Sequence, residues 1–313
     1  MNKRSKKFTN IIKAISIVLS VAALKHGCYL ATDGFSHQKI LSRSQSNDIT
    51  SEISEEKAAL VKAIFDQPFH YLARGKSFYC FISEDQNYVV KFFKQQRLEE
   101  SKWLTHFPLP SQFNHLKNRF LTFRANKHGH RRKEFLFNSI KIASEQMAKE
   151  TGLIHAQLSR SSSLDKQITF FDKIGVIHTM NLKDTEFVIQ KRATLFYPYL
   201  KECLDQQNLG KAKTAIDHFV EHIKNRCQKG IMDIDIHPFS NYGFVDGEAV
   251  ELDIGSYTKP ESCNKDALAL KDLTKILEYM SRKFKVFECE ELASYSEEKL
   301  HQIKEDQEIA KTL

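Results

Sequence analysis

Residues 230–258 read GIMDIDIHPFSNYGFVDGEAVELDIGSYT, and this stretch organises the rest of the chain. Asp235, Asn241 and Asp253 stand at intervals within an otherwise apolar, strand-forming segment. Asp235 opens an irregular turn containing His237 and Pro238, and Asn241 closes it. The chain then predicts a hairpin, with YGFV as one arm, Asp246-Gly247 as the turn and AVELDIG as the other arm. An Asp-Gly pair between two apolar runs is a strong short-range hairpin signal, because a two-residue turn needs positive φ at both positions. Such a hairpin folds Asp253 back beside Asn241. A carboxylate, a carboxamide and a second carboxylate then share one end of a small ribbon. Two of these oxygens suit Mg²⁺, and the spare Asp suits a hydroxyl to be oriented.

The pattern D-x-H-P-x-x-N, a hairpin and D-I-G resembles the catalytic and metal loops of the protein-kinase-like superfamily, whose usual form is H-R-D-L-x-x-x-N and then D-F-G. The His-Pro is more similar to the small-molecule branch (aminoglycoside, choline and sugar phosphotransferases) than to conventional protein kinases. The resemblance implies Asp235 as the catalytic aspartate and Asn241 and Asp253 as metal ligands, with Asp233 in the place of the motif's His. One departure stands out. The motif sets Asn five residues after Asp, whereas here the interval is six, which a one-residue bulge would absorb.

Working upstream, residues 68–94 predict three strands, PFHYLARG, KSFYCFISED and QNYVVKFFK. Lys91, amid Val89, Val90, Phe92 and Phe93, must find an acceptor or snorkel. Its setting resembles the V-A-I-K strand that grips nucleotide phosphates, and it shares the catalytic role with Asp235 in that reading. Gly75 stands sixteen residues earlier, as the remnant of a Gly-rich loop. Gly75-Lys76-Ser77 also mimics the tail of a Walker A motif, but position 70 is His where that motif needs Gly.

Residues 131–150 predict a helix with the apolar stripe Leu136, Ile140, Ala143 and Met147. By the resemblance this helix supplies a Glu to pair with Lys91. Glu134 and Glu145 both qualify, being three turns apart on one face, with Glu134 favoured by its place near the helix start. Further strands are expected at LIHAQL, QITFFDK, GVIHTMNL and EFVIQKRA, the last leading to a hinge at Gln190, Lys191 and Arg192 whose backbone would hold adenine. The period then becomes helical. Lys211–Lys229 carries Ile216, Phe219, Val220, Ile223 and Cys227 at helical spacing with Gly230 as the stop, and two more helices are expected at 264–284 and 287–310. Only 60 residues follow Asp253 and no A-P-E occurs, which disfavours a conventional protein kinase.

The N-terminal segment, 1–31, is of another kind. Lys3, Arg4, Lys6 and Lys7 precede the apolar run IIKAISIVLSVAAL, the shape of a signal peptide or anchor; extended from Ile11 to Ala31 the run is long enough to span a bilayer. The basic head favours an outward-facing remainder, where ATP is scarce. Either the segment does not export, leaving the protein cytoplasmic, or the domain acts elsewhere, for example inside a host cell, or it no longer catalyses. Residues 32–55, rich in Ser, Thr and Asp, are expected to be a linker. After it Ser54 starts a short helix with Leu60, Ile64 and Phe65 on one face.

Among 313 residues, 41% are apolar and 27% charged, an ordinary globular balance. Six Cys lack metal-ligand spacing and read as reduced thiols. The net charge of +8 is spread along the chain, which argues against specific nucleic-acid binding and for acidic partners such as an anionic membrane surface. A basic insertion at 95–130, holding Trp103 and Arg/Lys interleaved with Phe and Leu, is one place for that contact.

The expectation is therefore an α+β, two-lobed kinase-like fold: an N-lobe over 56–192 with an antiparallel sheet and a helix, and a mostly helical C-lobe over 193–313. The implied activity is ATP- and Mg²⁺-dependent phosphoryl transfer to a hydroxyl on an unidentified small molecule or protein. The alternative is a pseudokinase serving as a membrane-tethered or secreted binding module.

Overall fold

The structure is a computed structural model that describes residues 3–42, 53–98 and 130–312. Residues 99–129, most of the expected basic insertion, lie outside the described residues, as does the middle of the expected linker.

The chain is α+β. Helix α1 spans Lys3–Thr32 and α2 Glu55–Ile64. Strands β1 (Phe69–Arg74), β2 (Phe78–Ser83) and β3 (Tyr88–Phe93) follow, then α3 (His130–Gln146), β4 (Leu153–Gln157), β5 (Gln167–Phe171), β6 (Ile177–Asn181), β7 (Phe187–Lys191) and β8 (Thr194–Leu195). The remainder is α4 (Phe196–Asp205), α5 (Leu209–Gln228), β9 (Met232–Asp233), β10 (Tyr242–Val245), β11 (Glu248–Glu251), β12 (Tyr257–Thr258), α6 (Lys265–Val286) and α7 (Glu290–Thr312). Seven strands form one sheet in the order β4-β7-β3-β2-β1-β5-β6; β11-β10-β8 and β12-β9 form two small ones. The expected strands all form within one or two residues of their predicted ends, except the second hairpin arm, expected over 249–255, which ends at Glu251.

Two compact units divide the chain, and the division differs from the expected 56–192 and 193–313. The first holds residues 1–86, 90–96 and 159–187; the second holds 87–89, 97–158 and 188–313, so α3 and β4 belong with the C-terminal helices.

The core of the first unit is aromatic. Phe81, Phe92 and Phe170 are buried completely, and Phe35 sets its ring edge-on to Phe81 and Phe170 at 5.4 and 6.0 Å. Phe35 and Ile40 come from the stretch expected to be linker; residues 33–42 are instead packed, with Ile40 0% exposed. Composition misleads here because one Phe and one Ile in a polar run suffice to dock it, each burial contributing about 1.5–3 kcal/mol. In α2, Ser54 caps the first turn by accepting from the Lys57 N–H. The buried face is Ala58, Val61 and Ile64, with Phe65 just beyond, whereas Leu60 is exposed, a correction to the expected face.

The second unit is built on α5. Its N-cap Asn208 accepts from the Lys211 N–H at 2.9 Å, and Gly230, at φ 71°, ends it in the left-handed conformation that a side chain disfavours. Ile216, Phe219 and Ile223 face a core completed by Tyr242, Ile276 and Leu292. Of the six thiols, Cys203, Cys227 and Cys289 are buried and none is in a disulfide.

Near the N-terminus, Ile15–Thr32 is long and apolar enough, by length and composition, to cross a membrane, and none of that window is buried.

Candidate active site

The hairpin forms in the expected register, pairing Tyr242 with Glu251 and Val245 with Glu248. Asp246 (φ 53°) and Gly247 (φ 85°) make the turn, both with the positive φ that a tight two-residue connection requires. Gly243 is required for a different reason: a Cβ there would sit 2.5 Å from the Thr194 carbonyl oxygen of the neighbouring strand.

Before the hairpin, Pro238–Asn241 forms one turn of helix with Pro at its start. The Asn241 N–H donates to the His237 carbonyl at 2.9 Å. This turn takes up the extra residue between Asp235 and Asn241. A helical turn advances about 1.5 Å per residue against about 3.3 Å for a strand, which shortens the span these six residues cover.

Asn241 then ties three segments together. Its Nδ2 donates to the Asp235 carbonyl oxygen at 2.9 Å, and its own carbonyl oxygen accepts from the N–H groups of Leu252 at 2.6 Å and Asp253 at 3.4 Å. Because the amide nitrogen is committed to Asp235, the Oδ1 end points the other way as an acceptor; Ser240 Oγ donates to it at 3.0 Å. Asp253 is exposed and accepts from the Gly255 N–H at 3.2 Å. The Asp235 carboxylate is also exposed, with His237 Nε2 3.1 Å from its Oδ1.

Beneath these loops lies a buried ionic cluster. Asp233 Oδ1 accepts from the Asp235 N–H at 2.9 Å and from Ser256 Oγ at 2.5 Å, joining the stem of one loop to the end of the other. The Ile234 N–H donates to the Ser256 carbonyl oxygen at 3.2 Å, and β9 pairs with β12 at Asp233–Tyr257. Arg226, wholly buried, stands 3.0 Å from Asp272 and 3.7 Å from Asp233. Glu251, also wholly buried, is 3.4 Å from His222 Nε2. One guanidinium thus sits against two carboxylates, Asp233 and Asp272, and within the field of a third, Glu251. Burial, and then the Glu251 charge, push Asp233 up to about 7, and burial raises Asp272. Burial opposes the Glu251 carboxylate too, but Arg226 and His222 outweigh it and hold it below its usual value.

Helix α3 is fastened to the same loop. Ser139 Oγ donates to the Ile254 carbonyl oxygen at 2.6 Å and accepts from the Tyr257 N–H at 2.7 Å. Gly255 lies against Leu136, whose Cδ1 a Cβ there would approach to 2.9 Å. The stripe of Leu136, Ile140, Ala143 and Met147 is buried as expected. Glu134 and Glu145 share the opposite, exposed face, and Glu145 lies 3.9 Å from Lys141. At the expected hinge, Gln190 is buried and donates to the Thr151 carbonyl oxygen at 2.7 Å. The N–H groups of Lys191 and Arg192 donate to the carbonyl oxygens of Gly152 and Asn87, both at 2.8 Å.

In the first unit, Lys91 is half-buried on β3. The lysine at the Gly75 turn is a different one: Lys94, 5% exposed, donates from Nζ to the Gly75 carbonyl oxygen at 2.6 Å and lies 4.4 Å from the Tyr79 ring centroid. The Gly75 N–H donates to the Phe78 carbonyl oxygen at 2.9 Å, closing the β1–β2 turn.

The sequence reading missed Arg226, Glu251, Ser139 and Lys94. Arg226 carried a signal: it falls three residues after Ile223 and seven after Phe219, on the apolar stripe of α5, where a charge must be paired. Ser139 and Lys94 carried none.

No protein-family profile matches the chain, and no curated protein is similar to it. Among solved structures, the chain is similar to a crystal structure of WbdD, with a TM-score of 0.34 at 15% identity over 75% of this chain and 46% of that one. A structure of the bifunctional kinase-methyltransferase WbdD gives a TM-score of 0.31 at 15% identity over 71% and 42%. The chain therefore spans less than half the length of these structures, and the likeness carries none of the site's residues across.

Proposed function

We propose that the chain is a kinase-like phosphotransferase that uses Mg·ATP and a hydroxyl acceptor. The observation carrying this reading is the Asn241 tie, which locks Asp235, Asn241 and Asp253 together through bonds of 2.6–3.4 Å. Among the described residues no group of three or more His, Cys, Asp or Glu side chains converges on a metal position. Mg²⁺ in a nucleotide site takes one or two protein oxygens, with phosphate oxygens and water completing the shell. Asn241 Oδ1 and the Asp253 carboxylate would hold the ion, which when bound neutralises charge on the phosphates. The exposed Asp235 carboxylate would orient the acceptor hydroxyl and take its proton, displacing the His237 contact. Lys91 would grip the phosphates, with Glu134 or Glu145 as its partner, and residues 190–192 would border the base.

A second reading, a pseudokinase serving as a membrane-tethered or secreted binding module, is favoured by the hinge, where the N–H groups of Lys191 and Arg192 that would hold adenine already donate to Gly152 and Asn87.

The test is the thermal shift of the full chain in detergent with Mg·ATP, alongside Asp253→Ala. Ligand binding only the folded state raises the melting temperature by mass action. A magnesium-dependent rise that disappears in Asp253→Ala is expected. No rise at millimolar nucleotide would overturn the phosphotransferase reading in favour of the binding module, and a rise without phosphate transfer to any acceptor, water included, would overturn catalysis as well.

A further inference from the structure

The apolar N-terminal helix does not end in a loose connection. At its end, Asp33 (φ 52°) and Gly34 (φ 68°) turn the chain, with the Gly34 N–H donating to the Tyr29 carbonyl oxygen at 2.8 Å. A Cβ on Gly34 would fall 2.4 Å from the Tyr29 ring, so the turn and the ring fit only with glycine. Asp33 is then gripped from strand β1 and the β5–β6 turn. Tyr71 Oη donates to it at 2.9 Å, Lys173 Nζ lies at 3.0 Å and Arg74 Nε at 3.8 Å. Arg74 also donates to the Asp33 carbonyl and to Tyr29 Oη, at 2.9 and 2.8 Å. Two residues on, Phe35 is buried against the sheet, 5.5 Å from the His178 ring.

Lys173 and His178 bracket the tip of the β5–β6 hairpin. That tip is rigid: Asp172 Oδ1 accepts from the N–H groups of Ile174 and Val176 at 3.0 and 2.9 Å, and its Oδ2 meets His178 Nε2 at 2.9 Å. Yet what the tip displays is apolar. Ile174, Val176 and Ile177 are 56%, 47% and 61% exposed. A polar turn that holds three β-branched side chains outward is a display surface rather than an unfinished core.

The helix supplies the level at which this surface sits. The 18-residue window Ile15–Thr32 spans about 27 Å, close to the ~30 Å of a bilayer's hydrocarbon. With that window in a membrane, Asp33 stands at the headgroup boundary, and Lys25, two turns inside, can snorkel to it. Tyr29, with Arg74 5.0 Å from its ring centroid, is the aromatic–basic pairing that such a boundary favours. Ile174 is the residue next to Lys173, whose ammonium touches Asp33, so the tip lies at the same boundary.

The geometry points to a second membrane contact: the 174–177 tip inserts among the lipids beside α1, fixing the first unit's orientation on the bilayer instead of leaving it tethered. This rests on α1 as an anchor and is independent of the phosphotransferase reading.

The experiment uses the full chain in phosphatidylcholine–phosphatidylglycerol nanodiscs, with the native Trp103 replaced by Phe. Single tryptophans are placed by Leu19→Trp, within the window, and by Ile174→Trp, and emission is compared between brominated and ordinary lipids. Both probes should be quenched, Ile174→Trp by at least half the loss seen for Leu19→Trp. Adding Asp33→Ala and Lys173→Ala should abolish quenching at 174 and leave that at 19. Quenching at 19 with none at 174 overturns the contact while keeping the anchor. Quenching at neither removes the anchor and the contact together. Quenching at 174 that survives the double alanine change overturns the rigid coupling to α1.

Discussion

The substitution Asp233→Asn isolates the ionic cluster beneath the candidate site. Asparagine keeps an oxygen to accept from the Asp235 N–H and Ser256 Oγ, the two bonds that join the loops. It removes the one carboxylate of the cluster whose protonation is displaced to about 7. The folded state therefore holds this proton well above the ordinary value of about 3.9, at which the unfolded chain releases it. Between those two values the folded state binds more protons, so the contribution of Asp233 to stability is full below about 4 and is lost as pH rises through about 7. The total is about 4 kcal/mol, more than half of it lost between pH 5 and pH 8. Groups outside the cluster titrate alike in both proteins and cancel in the difference, while Glu251, whose charge acts on Asp233, titrates with it as a pair. Relative to wild type, Asp233→Asn should therefore gain about 2–3 kcal/mol on going from pH 5 to pH 8, roughly 5–10 °C in melting temperature. Urea and thermal melts of both proteins at half-unit pH steps measure this directly. A stability difference that stays flat across the window, or that moves against the variant as pH rises, would refute the account of one guanidinium shared among three carboxylates.

Other substitutions probe separate parts of the same assembly. Arg226→Met should cost about 3–5 kcal/mol in melts at neutral pH, because it strands buried carboxylates without their cation; a loss below 1 kcal/mol would mean the cluster is compensated some other way. Gly243→Ala forces a methyl group against the Thr194 carbonyl and should cost about 1–3 kcal/mol, read as loss of amide protection in β8 and β10. Asp235→Ala should abolish phosphate transfer while leaving the Mg·ATP thermal shift intact, and retained turnover would remove the aspartate from its proposed role.

Much of this architecture is visible in local signals. The Asp246-Gly247 turn, the apolar runs of β1 to β7, and the Ile216–Cys227 stripe with Gly230 behind it all depend on neighbours within about seven positions, so the residue pattern carries them. The same holds for Asn241 and Asp253, whose hairpin arms bring them together by a register that the turn enforces. What lies across the chain was not visible. Ser139 holds the Ile254 carbonyl from 115 positions away, Arg226 finds Asp272 46 positions on, and Lys94 reaches the Gly75 carbonyl 19 positions back. Nor did composition reveal that residues 33–42 are packed, since one buried Phe and one Ile leave no period. Backbone hydrogen bonding and side-chain alternation repeat along the chain and so write themselves into its pattern. The partner of a single buried polar group is chosen by packing between distant segments, and only the folded chain decides it.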